Sequence, residues 1–330
     1  MFLRIFKGTG PGVIFLIFVT LVAVWISAFM HPPVIPDVFY ETSPMPLYGF
    51  LKILVKNHQL FGIILSFLMV SVLSVLIVNF NTSVFFINER TFLPALFYVL
   101  LGGLFPEYQL MNPVLPAAIF LILSIIRIIE GYHITGTAYN YFDAGILISI
   151  GSLFYANLIW FGLLLIIGII LLRTGNLKEL VITIAGLLTP FLITFGIYYV
   201  AGKDIGSLMR LFSDNLFTHV VRYQFTRLTF VTLIFCCGLL LISFVKLFKH
   251  INTKKIKSRK TFSLLIWTFL ISLIAYILVP SVSVEMIWLT GIPVSYFIAQ
   301  YFVLVKKKLV PEILFFLLFV FIVLIQVLHR

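Results

Sequence analysis

Charged side chains are scarce in this sequence: Asp, Glu, Lys and Arg together make up 10% of its 330 residues. Soluble domains carry about 25% charged and about 45–50% apolar residues, whereas this chain is 62% hydrophobic with a mean hydropathy of +1.18. A globule of this size could not keep so much apolar surface away from water, so most of the chain must lie in lipid. The composition therefore excludes a soluble enzyme and a disordered protein.

Cysteine is nearly absent, which excludes a secreted disulfide scaffold. Cys236 and Cys237 are adjacent in an apolar run, where helical neighbours point in different directions, so neither a disulfide nor a metal site is expected. The six histidines are scattered without metal-ligand spacing, and no phosphate loop, G-x-S-x-G or H-E-x-x-H motif is present. We therefore predict no metal and no cofactor.

Long apolar runs fill most of the chain, and they lack the alternation of outer-membrane barrel strands. At roughly 20 residues per crossing, fewer for short helices, they predict an all-α, polytopic integral membrane helical bundle of about 11 transmembrane helices, as one transmembrane domain over residues 1–330. The predicted spans are 12–30, 60–80, 92–105, 113–129, 144–155, 157–172, 180–200, 228–245, 262–279, 286–305 and 313–328.

Acidic residues are outnumbered by basic ones, 11 to 23, which gives a net charge of +12. In a membrane protein such an excess collects in cytoplasmic loops, so we expect no nucleic-acid partner. The basic loop 246–260 and Lys306–Lys308 fall on the same side when the N-terminus is inside. The positive-inside rule therefore predicts an N-in, C-out arrangement.

Two segments on the predicted outer side, 31–59 and 201–227, are longer than simple turns. In the second, apolar residues recur at three- and four-residue steps, which predicts an amphipathic helix in the membrane interface. These residues are Ile205, Leu208, Met209, Phe212, Leu216, Phe217 and Val220. Residues 47–55 predict a shorter helix of the same kind.

The first outer segment contains two candidate catalytic acids, Asp37 and Glu41. A carboxylate at a membrane surface can act as a general base or hold a divalent cation. The arrangement is similar to that of integral-membrane glycosyltransferases with lipid-phosphate sugar donors, in which an acidic residue of the first extracytoplasmic loop faces the reaction site. The alternative is that both are solvated acids of a proline-rich linker.

The second outer segment supplies candidate phosphate- or headgroup-binding residues: Lys203, Arg210, His219, Arg222 and Arg227. Arginine offers a planar fork for phosphate oxygens, and cations on the outer side run against the usual topological bias. The alternative is interfacial snorkelling to ordinary lipid headgroups.

Other charged residues lie at the edges of the predicted spans. Arg127 and Glu130 are three residues apart and are expected to pair on one helix face, and Asp143 is expected to cap the fifth span. Glu107 and Tyr108 lie in a short outer turn and could either join an outer site or be simple turn residues.

Four stretches carry a resemblance to a known family: NERTFLPALFYVLLGGLFPE (88–107), NPVLPAAIFLILSIIRII (112–129), YFDAGILISIGSLFY (141–155) and LKELVITIAGLLTPFLITF (177–195). They resemble an uncharacterised family of polytopic inner-membrane proteins from Bacteroidota-type bacteria. The resemblance implies a multi-pass protein of the bacterial inner (cytoplasmic) membrane. It brings no established activity and no functional residue.

Three functions stay open. The first is a lipid-phosphate-dependent, glycosyltransferase-like enzyme at the extracytoplasmic face, whose partners would be membrane lipids and a polyprenyl-phosphate-linked substrate. The second is a lipid or solute transporter, which needs a polar path through the spans. The third is a non-catalytic scaffold or accessory subunit of an envelope complex, with unknown protein partners. Polar groups available for a path are Ser66, Ser71, Ser74, Thr183, Thr189, Thr194, Thr232 and Gln300.

Overall fold

The computed structural model describes residues 2–32, 43–55, 59–84, 86–87, 90–132, 138–172, 177–219, 223–305 and 309–328. These residues form α-helices joined by turns and short 3-10 helices, with no strand among them. The α-helices are α1 (Phe2–Phe6), α2 (Pro11–Met30), α3 (Pro46–Val55), α4 (Gln59–Val84), α5 (Leu93–Gly102), α6 (Val114–Glu130), α7 (Ala138–Ser152), α8 (Gly162–Leu172), α9 (Leu177–Val200), α10 (Ile205–Phe217), α11 (Arg227–Ile251), α12 (Ile256–Leu278), α13 (Ile287–Leu304) and α14 (Leu309–Leu328).

Polar residues at the edges of the apolar runs set where several helices begin. Asn112 Oδ1 accepts hydrogen bonds from the backbone N–H groups of Val114 and Leu115 at the start of α6, both at 3.1 Å. The Thr226 hydroxyl accepts one from the Thr229 N–H at the start of α11. Such caps satisfy N–H groups that have no partner within the helix, which matters most near lipid.

Among the described residues, seven helices are long and apolar enough to cross a membrane, so the expected count of eleven is not supported. Helices lie at all eleven expected positions, but α5, α6, α7 and α8 have 10, 17, 15 and 11 residues. At 1.5 Å per residue they extend about 15–26 Å, less than the roughly 30 Å hydrocarbon core. The candidate spans are Pro11–Met30, Gln59–Val84, Leu177–Val200, Arg227–Ile251, Ile256–Leu278, Val284–Leu304 and Leu309–Leu328.

The four short helices form two helix–turn–helix units, each with a 3-10 helix at its turn. Pro106–Gln109 joins α5 to α6, and Ala156–Phe161 joins α7 to α8. Gln109 Nε2 donates to the carbonyl of Val24, which lies six residues before the end of α2. The first turn is therefore recessed about 9 Å below the end of its long neighbour.

The core of the bundle lies around α5 and α13. All ten residues of α5 are buried, as are most of α13. The Tyr98 hydroxyl donates to the Trp288 carbonyl at 3.1 Å, and the Tyr296 hydroxyl donates to the Ile77 carbonyl at 2.7 Å. These bonds tie α5 and α4 to α13, which also packs against α6, α11 and α12.

The α7 and α9 helices touch backbone to backbone at two glycines. A Cβ added to Gly186 would lie 2.3 Å from the Phe142 carbonyl oxygen, and one added to Gly145 would lie 2.7 Å from that of Thr183. Small residues allow such close approach, which is a common source of helix association in membranes.

Contacts between the helix termini define two ends of the bundle. At the first, the Leu3 N–H donates to Glu312 Oε1 and Lys254 Nζ donates to the Phe86 carbonyl. We call this the basic-loop end. At the opposite end Gln326 Nε2 donates to the Gly103 carbonyl, and α10 lies there, so we call it the α10 end. The orientation of these ends relative to the cytoplasm stays a prediction.

The charged residues expected at span edges lie at the basic-loop end. Arg127 and Glu130 form the expected ion pair, with Nη1 and Oε2 3.1 Å apart. The expectation for Asp143 is wrong, because α7 begins at Ala138 and Asp143 lies inside it. Its carboxylate instead lies 3.9 Å from Arg127 Nε, so a neighbouring helix supplies its partner.

Candidate functional site

The described part of the first outer segment packs directly against the second. Asn215, near the end of α10, donates from Nδ2 to the Ser43 carbonyl at 2.8 Å, and its Oδ1 accepts from the Ser43 N–H at 3.4 Å. Met45 and Tyr48 at the start of α3 share a small apolar cluster with Phe212 and Leu216 of α10. The α3 and α10 helices, both expected as interfacial helices from the sequence, therefore form one layer at the α10 end.

A polar network fastens this layer to the turns beneath it. Asn157, in the second 3-10 helix, donates to the Asn215 carbonyl at 3.4 Å, and its Oδ1 lies 3.2 Å from the Ser281 hydroxyl. The same hydroxyl lies 2.8 Å from the Leu216 carbonyl. Buried polar groups of this kind are retained only when they are hydrogen-bonded, so they fix α10 over the α7–α8 and α12–α13 turns.

A fully buried carboxyl group lies below that layer. Glu285, in the 3-10 helix Val284–Met286 that precedes α13, has no exposed surface. Its Oε1 accepts from the Tyr155 hydroxyl at 3.1 Å and from the Ser283 N–H at 2.9 Å. No hydrogen-bond partner for Oε2 lies among the described residues. One carboxyl oxygen is thus held in place while the other is left for a further group.

Tyr108, in the first 3-10 helix, lies beside this carboxyl group. Burial raises the pKa of the Tyr108 hydroxyl well above its usual range, the charge of Glu285 raises it further, and the Ser283 hydroxyl acts in the opposite direction. This phenol therefore stays protonated at physiological pH and is a hydrogen-bond donor rather than a base.

An aromatic cluster connects this region to the chain before α11. Tyr223 packs against Phe105 and Tyr108 with ring centroids 5.5 and 5.9 Å apart. Burial raises the pKa of the Tyr223 hydroxyl, and the charge of Glu107 and a hydrogen bond with its carboxylate raise it further. Glu107 and Tyr108 are thus more than turn residues, because both join a cluster of acids and phenols at the α10 end.

Four of the five candidate phosphate-binding residues lie among the described residues, and all four are exposed. Lys203 Nζ lies 5.2 Å above the ring of Tyr198. Arg210 Nη2 lies 3.7 Å from Asp204 Oδ2, and Asp204 also caps α10 by accepting from the Gly206 N–H. His219 follows α10, and Arg227 is the first residue of α11. They line the rim of the α10 end rather than the buried carboxyl group.

The remaining candidates lie outside the described residues. These are the two acids Asp37 and Glu41 and the cation Arg222. The roles of Asp37 and Glu41 as catalytic acids and of Arg222 as a phosphate-binding cation therefore stay predictions.

Glu285 is the candidate that sequence reasoning missed. The tenth predicted span begins at Met286, directly after it, and nothing in the sequence pattern assigns Glu285 a role. A signal was nonetheless present, because Glu285 is an acid at the immediate boundary of an apolar run, where a charge is costly and is usually paired or functional. That Tyr155, 130 residues earlier, meets it could not be read from the pattern.

The polar residues of the spans do not form a visible path. The hydroxyls of Ser71, Thr183, Thr189, Thr194 and Thr232 each donate to the carbonyl four residues earlier in their own helix. Ser66, Ser74 and Gln300 are buried polar residues whose side chains have no hydrogen-bond partner among the described residues. Within the described part of the chain, no three His, Cys, Asp or Glu side chains are grouped so that they could hold a metal ion.

Seven apolar helices of spanning length in the described part of the chain, packed about one apolar core, define a helical membrane protein. Within that class the chain belongs to a family of unknown function (DUF6427), whose match covers residues 45–329. The family agrees with the uncharacterised family expected from the sequence. No curated protein and no solved structure matches the chain.

Proposed function

We propose that this protein is a membrane-embedded transferase that acts at its α10 end on a lipid-linked phosphate substrate. The observation that supports this most is the buried carboxyl group of Glu285, with Oε1 held by two donors and Oε2 without a hydrogen-bond partner among the described residues, beneath the layer formed by α3 and α10. A fixed carboxyl group that keeps one oxygen without a partner among the described residues suits proton transfer with a substrate group that reaches it.

In this reaction a carboxylate takes the proton of an acceptor hydroxyl. The hydroxyl oxygen then forms a bond to the transferred group, and the bond between that group and the lipid phosphate oxygen breaks, with its electron pair leaving on the phosphate. Glu285 is one candidate for the base, and Asp37 and Glu41 are the others. The buried phenols of Tyr108 and Tyr155 would donate hydrogen bonds and keep the acid oriented.

The cations on the rim of the same end would stabilise the negative charge of the leaving phosphate. Arg227 and Lys203 are exposed, as is Arg210, although Asp204 partly offsets the charge of Arg210. We include His219 and Arg222 in this group on the sequence pattern alone. Charge-assisted hydrogen bonds to phosphate oxygens are among the stronger polar interactions available at an interface.

We also propose the bacterial inner membrane of a Bacteroidota-type organism as the location, with the α10 end on the extracytoplasmic side. The sequence resemblance supports the membrane and the organism, and the basic loop at the opposite end supports the orientation. A substrate carried by a polyprenyl phosphate would then be presented on the outer leaflet.

The test compares Glu285→Gln with wild type in detergent, with polyprenyl-phosphate-linked hexose as donor and release of polyprenyl phosphate as readout. Glutamine still accepts from Tyr155 and Ser283, so the fold should persist, but it cannot take a proton. General-base removal typically reduces the rate by about 10²–10⁴-fold, and we expect a loss in that range. Glu130→Gln, at the opposite end, is the matched control and should retain wild-type turnover.

Equal rates for Glu285→Gln and wild type would remove Glu285 from the mechanism and leave Asp37 and Glu41 to be tested in the same way. A wild-type protein that neither binds polyprenyl phosphate nor releases it from such a donor would instead favour a scaffold role. A transporter is less well supported, since the hydroxyls that could line a path mostly bond to their own helices.

A further inference from the structure

A narrow cavity of about 210 Å³ lies between α2 and α14, with α5 at its back. Thr20 and Phe319 are at one end, and His31 and Val327 are at the other. Both long walls are candidate membrane spans, so the cavity is bounded by helices that face the bilayer. It is separate from the Glu285 region and plays no part in the function proposed above.

The length of the cavity corresponds to one leaflet. From Thr20 to Met30 along α2 is ten residues, or about 15 Å at 1.5 Å per residue. Half of a roughly 30 Å hydrocarbon core is also about 15 Å. The inner end of the cavity is therefore near the bilayer midplane, and its outer end is at the membrane interface of the α10 end.

Three of the four polar lining residues lie in the outer half of this length, and the hydroxyl of the fourth, Thr20, already donates to the Leu16 carbonyl. Leu100, Ile322 and Val323 line the apolar part, whereas Ser27, His31 and Gln326 lie toward the interface. This is the polarity profile of a lipid in one leaflet, with its chain inward and its headgroup outward.

Gln326 contributes an unused hydrogen-bond acceptor. Its side chain is 6% exposed, and its Nε2 donates to the Gly103 carbonyl at 2.8 Å. A carbonyl can only accept, so this bond fixes which end of the amide is the oxygen. The Oε1 has no hydrogen-bond partner among the described residues, although leaving a buried acceptor unsatisfied is destabilising.

We propose that the α2–α14 cavity binds one phospholipid with an amine headgroup, whose acyl chain fills the apolar part and whose ammonium group donates to Gln326 Oε1. Phosphatidylethanolamine has this donor, whereas phosphatidylcholine with the same chains has three methyl groups in its place. The site therefore distinguishes two lipids that differ only in the hydrogen-bonding capacity of the headgroup.

The experiment titrates purified full-length protein with each of these two lipids and counts bound lipid by native mass spectrometry. We expect wild type to retain one phosphatidylethanolamine with at least a fivefold preference over phosphatidylcholine. Gln326→Leu should remove the preference, because leucine leaves the apolar part intact and deletes the acceptor.

A second variant tests the cavity without touching the Gly103 bond. Val323→Phe should fill the apolar part and abolish the bound lipid, whereas Leu324→Phe, on the adjacent lipid-facing position outside the lining, should bind as wild type does. Equal retention of the two lipids by wild type, or unchanged retention by Val323→Phe, would overturn the proposal. Neither result depends on catalysis.

Discussion

At the scale of single residues, Lys254 shows how a basic side chain becomes part of the core. It lies between α11 and α12 and is 8% exposed, and its Nζ donates to the Phe86 carbonyl at 2.9 Å and lies 4.9 Å from the centre of the Phe262 ring. Burial lowers the pKa of Lys254 to about 8. Lys254 is therefore a basic residue of this loop that packs in the core, in addition to any effect of its charge on the orientation of the protein in the membrane.

This pKa predicts a pH-dependent stability. The ordinary lysine pKa is about 10.4, so between about pH 8 and pH 10.4 the unfolded chain binds more protons than the folded protein. Stability therefore rises with pH in this window, and the cost of the buried charge is fully present below pH 8. We expect the Tm of wild type, measured relative to that of Lys254→Met, to be higher at pH 10 than at pH 7.5. The corresponding gain in the free energy of unfolding is on the order of 1–3 kcal/mol.

The matched control for this prediction is Lys257→Met, which removes an exposed lysine from the start of α12. Its Tm should follow wild type across the same pH range. Thermal unfolding in detergent gives the Tm of each protein. A Tm difference between wild type and Lys254→Met that does not change with pH would contradict the lowered pKa of Lys254.

The sequence predicted the contact of a side chain correctly where both partners lie close together in the chain. Arg127 and Glu130 are on one helix face because of their three-residue spacing, and they do pair. Glu285 was missed because its burial depends on Tyr155 and on turns far away in the chain. The residues next to a side chain in the sequence do not specify which distant residues it contacts in the fold.

At the scale of elements, the α7–α9 pair depends on the absence of side chains at its contact. Gly186 lies against the backbone of Phe142, and a flexible neighbour cannot make room there because the atoms in the way belong to the main chain. This pair is a short helix held to a long candidate span, so its contact supports one of the two helix–turn–helix units.

We therefore predict that Gly186→Leu separates α9 from α7. The variant should lower the Tm by several degrees and reduce the monodisperse yield in detergent, because the helices cannot keep their separation. Gly196→Leu, on the same helix with no atom within 4 Å of an added Cβ, should leave both unchanged. Similar losses in the two variants would mean that leucine on α9, rather than its contact, is responsible.

The two helices expected at the membrane interface, α3 and α10, are the elements whose positions the sequence predicted best. The three- and four-residue spacing over 205–220 predicted α10, and 47–55 predicted α3 almost to the residue. Their hydrophobic periodicity is a local property, so it can be read directly. Their mutual contact through Asn215 and Ser43 joins residues that are far apart in the chain, so the pattern could not specify it.

At the scale of the whole molecule, the two ends of the bundle should lie on opposite sides of the membrane. Ser213, exposed on α10, and Lys257, exposed at the start of α12, represent the two ends. In a background with Cys236 and Cys237 replaced by Ala, we expect Ser213→Cys to react with a membrane-impermeant maleimide in cells with a permeabilised outer membrane.

Lys257→Cys should react only after the inner membrane is broken, because the basic loop is expected in the cytoplasm. Labelling of both positions from outside, or the reverse pattern, would contradict the predicted orientation. The extracytoplasmic location proposed for the reaction at Glu285 would then be wrong.

The sequence by itself determined that this protein is helical and that lipid surrounds it, because apolar content and periodicity act on each stretch of chain separately. Only the tertiary structure showed that four of the expected spans are short helices joined in pairs through 3-10 turns. Only it decided, too, that Glu285 is enclosed and that Gln326 carries a free acceptor beside a cavity. Burial and spare hydrogen-bonding capacity are properties of packed neighbours, which come together only when distant segments fold onto one another.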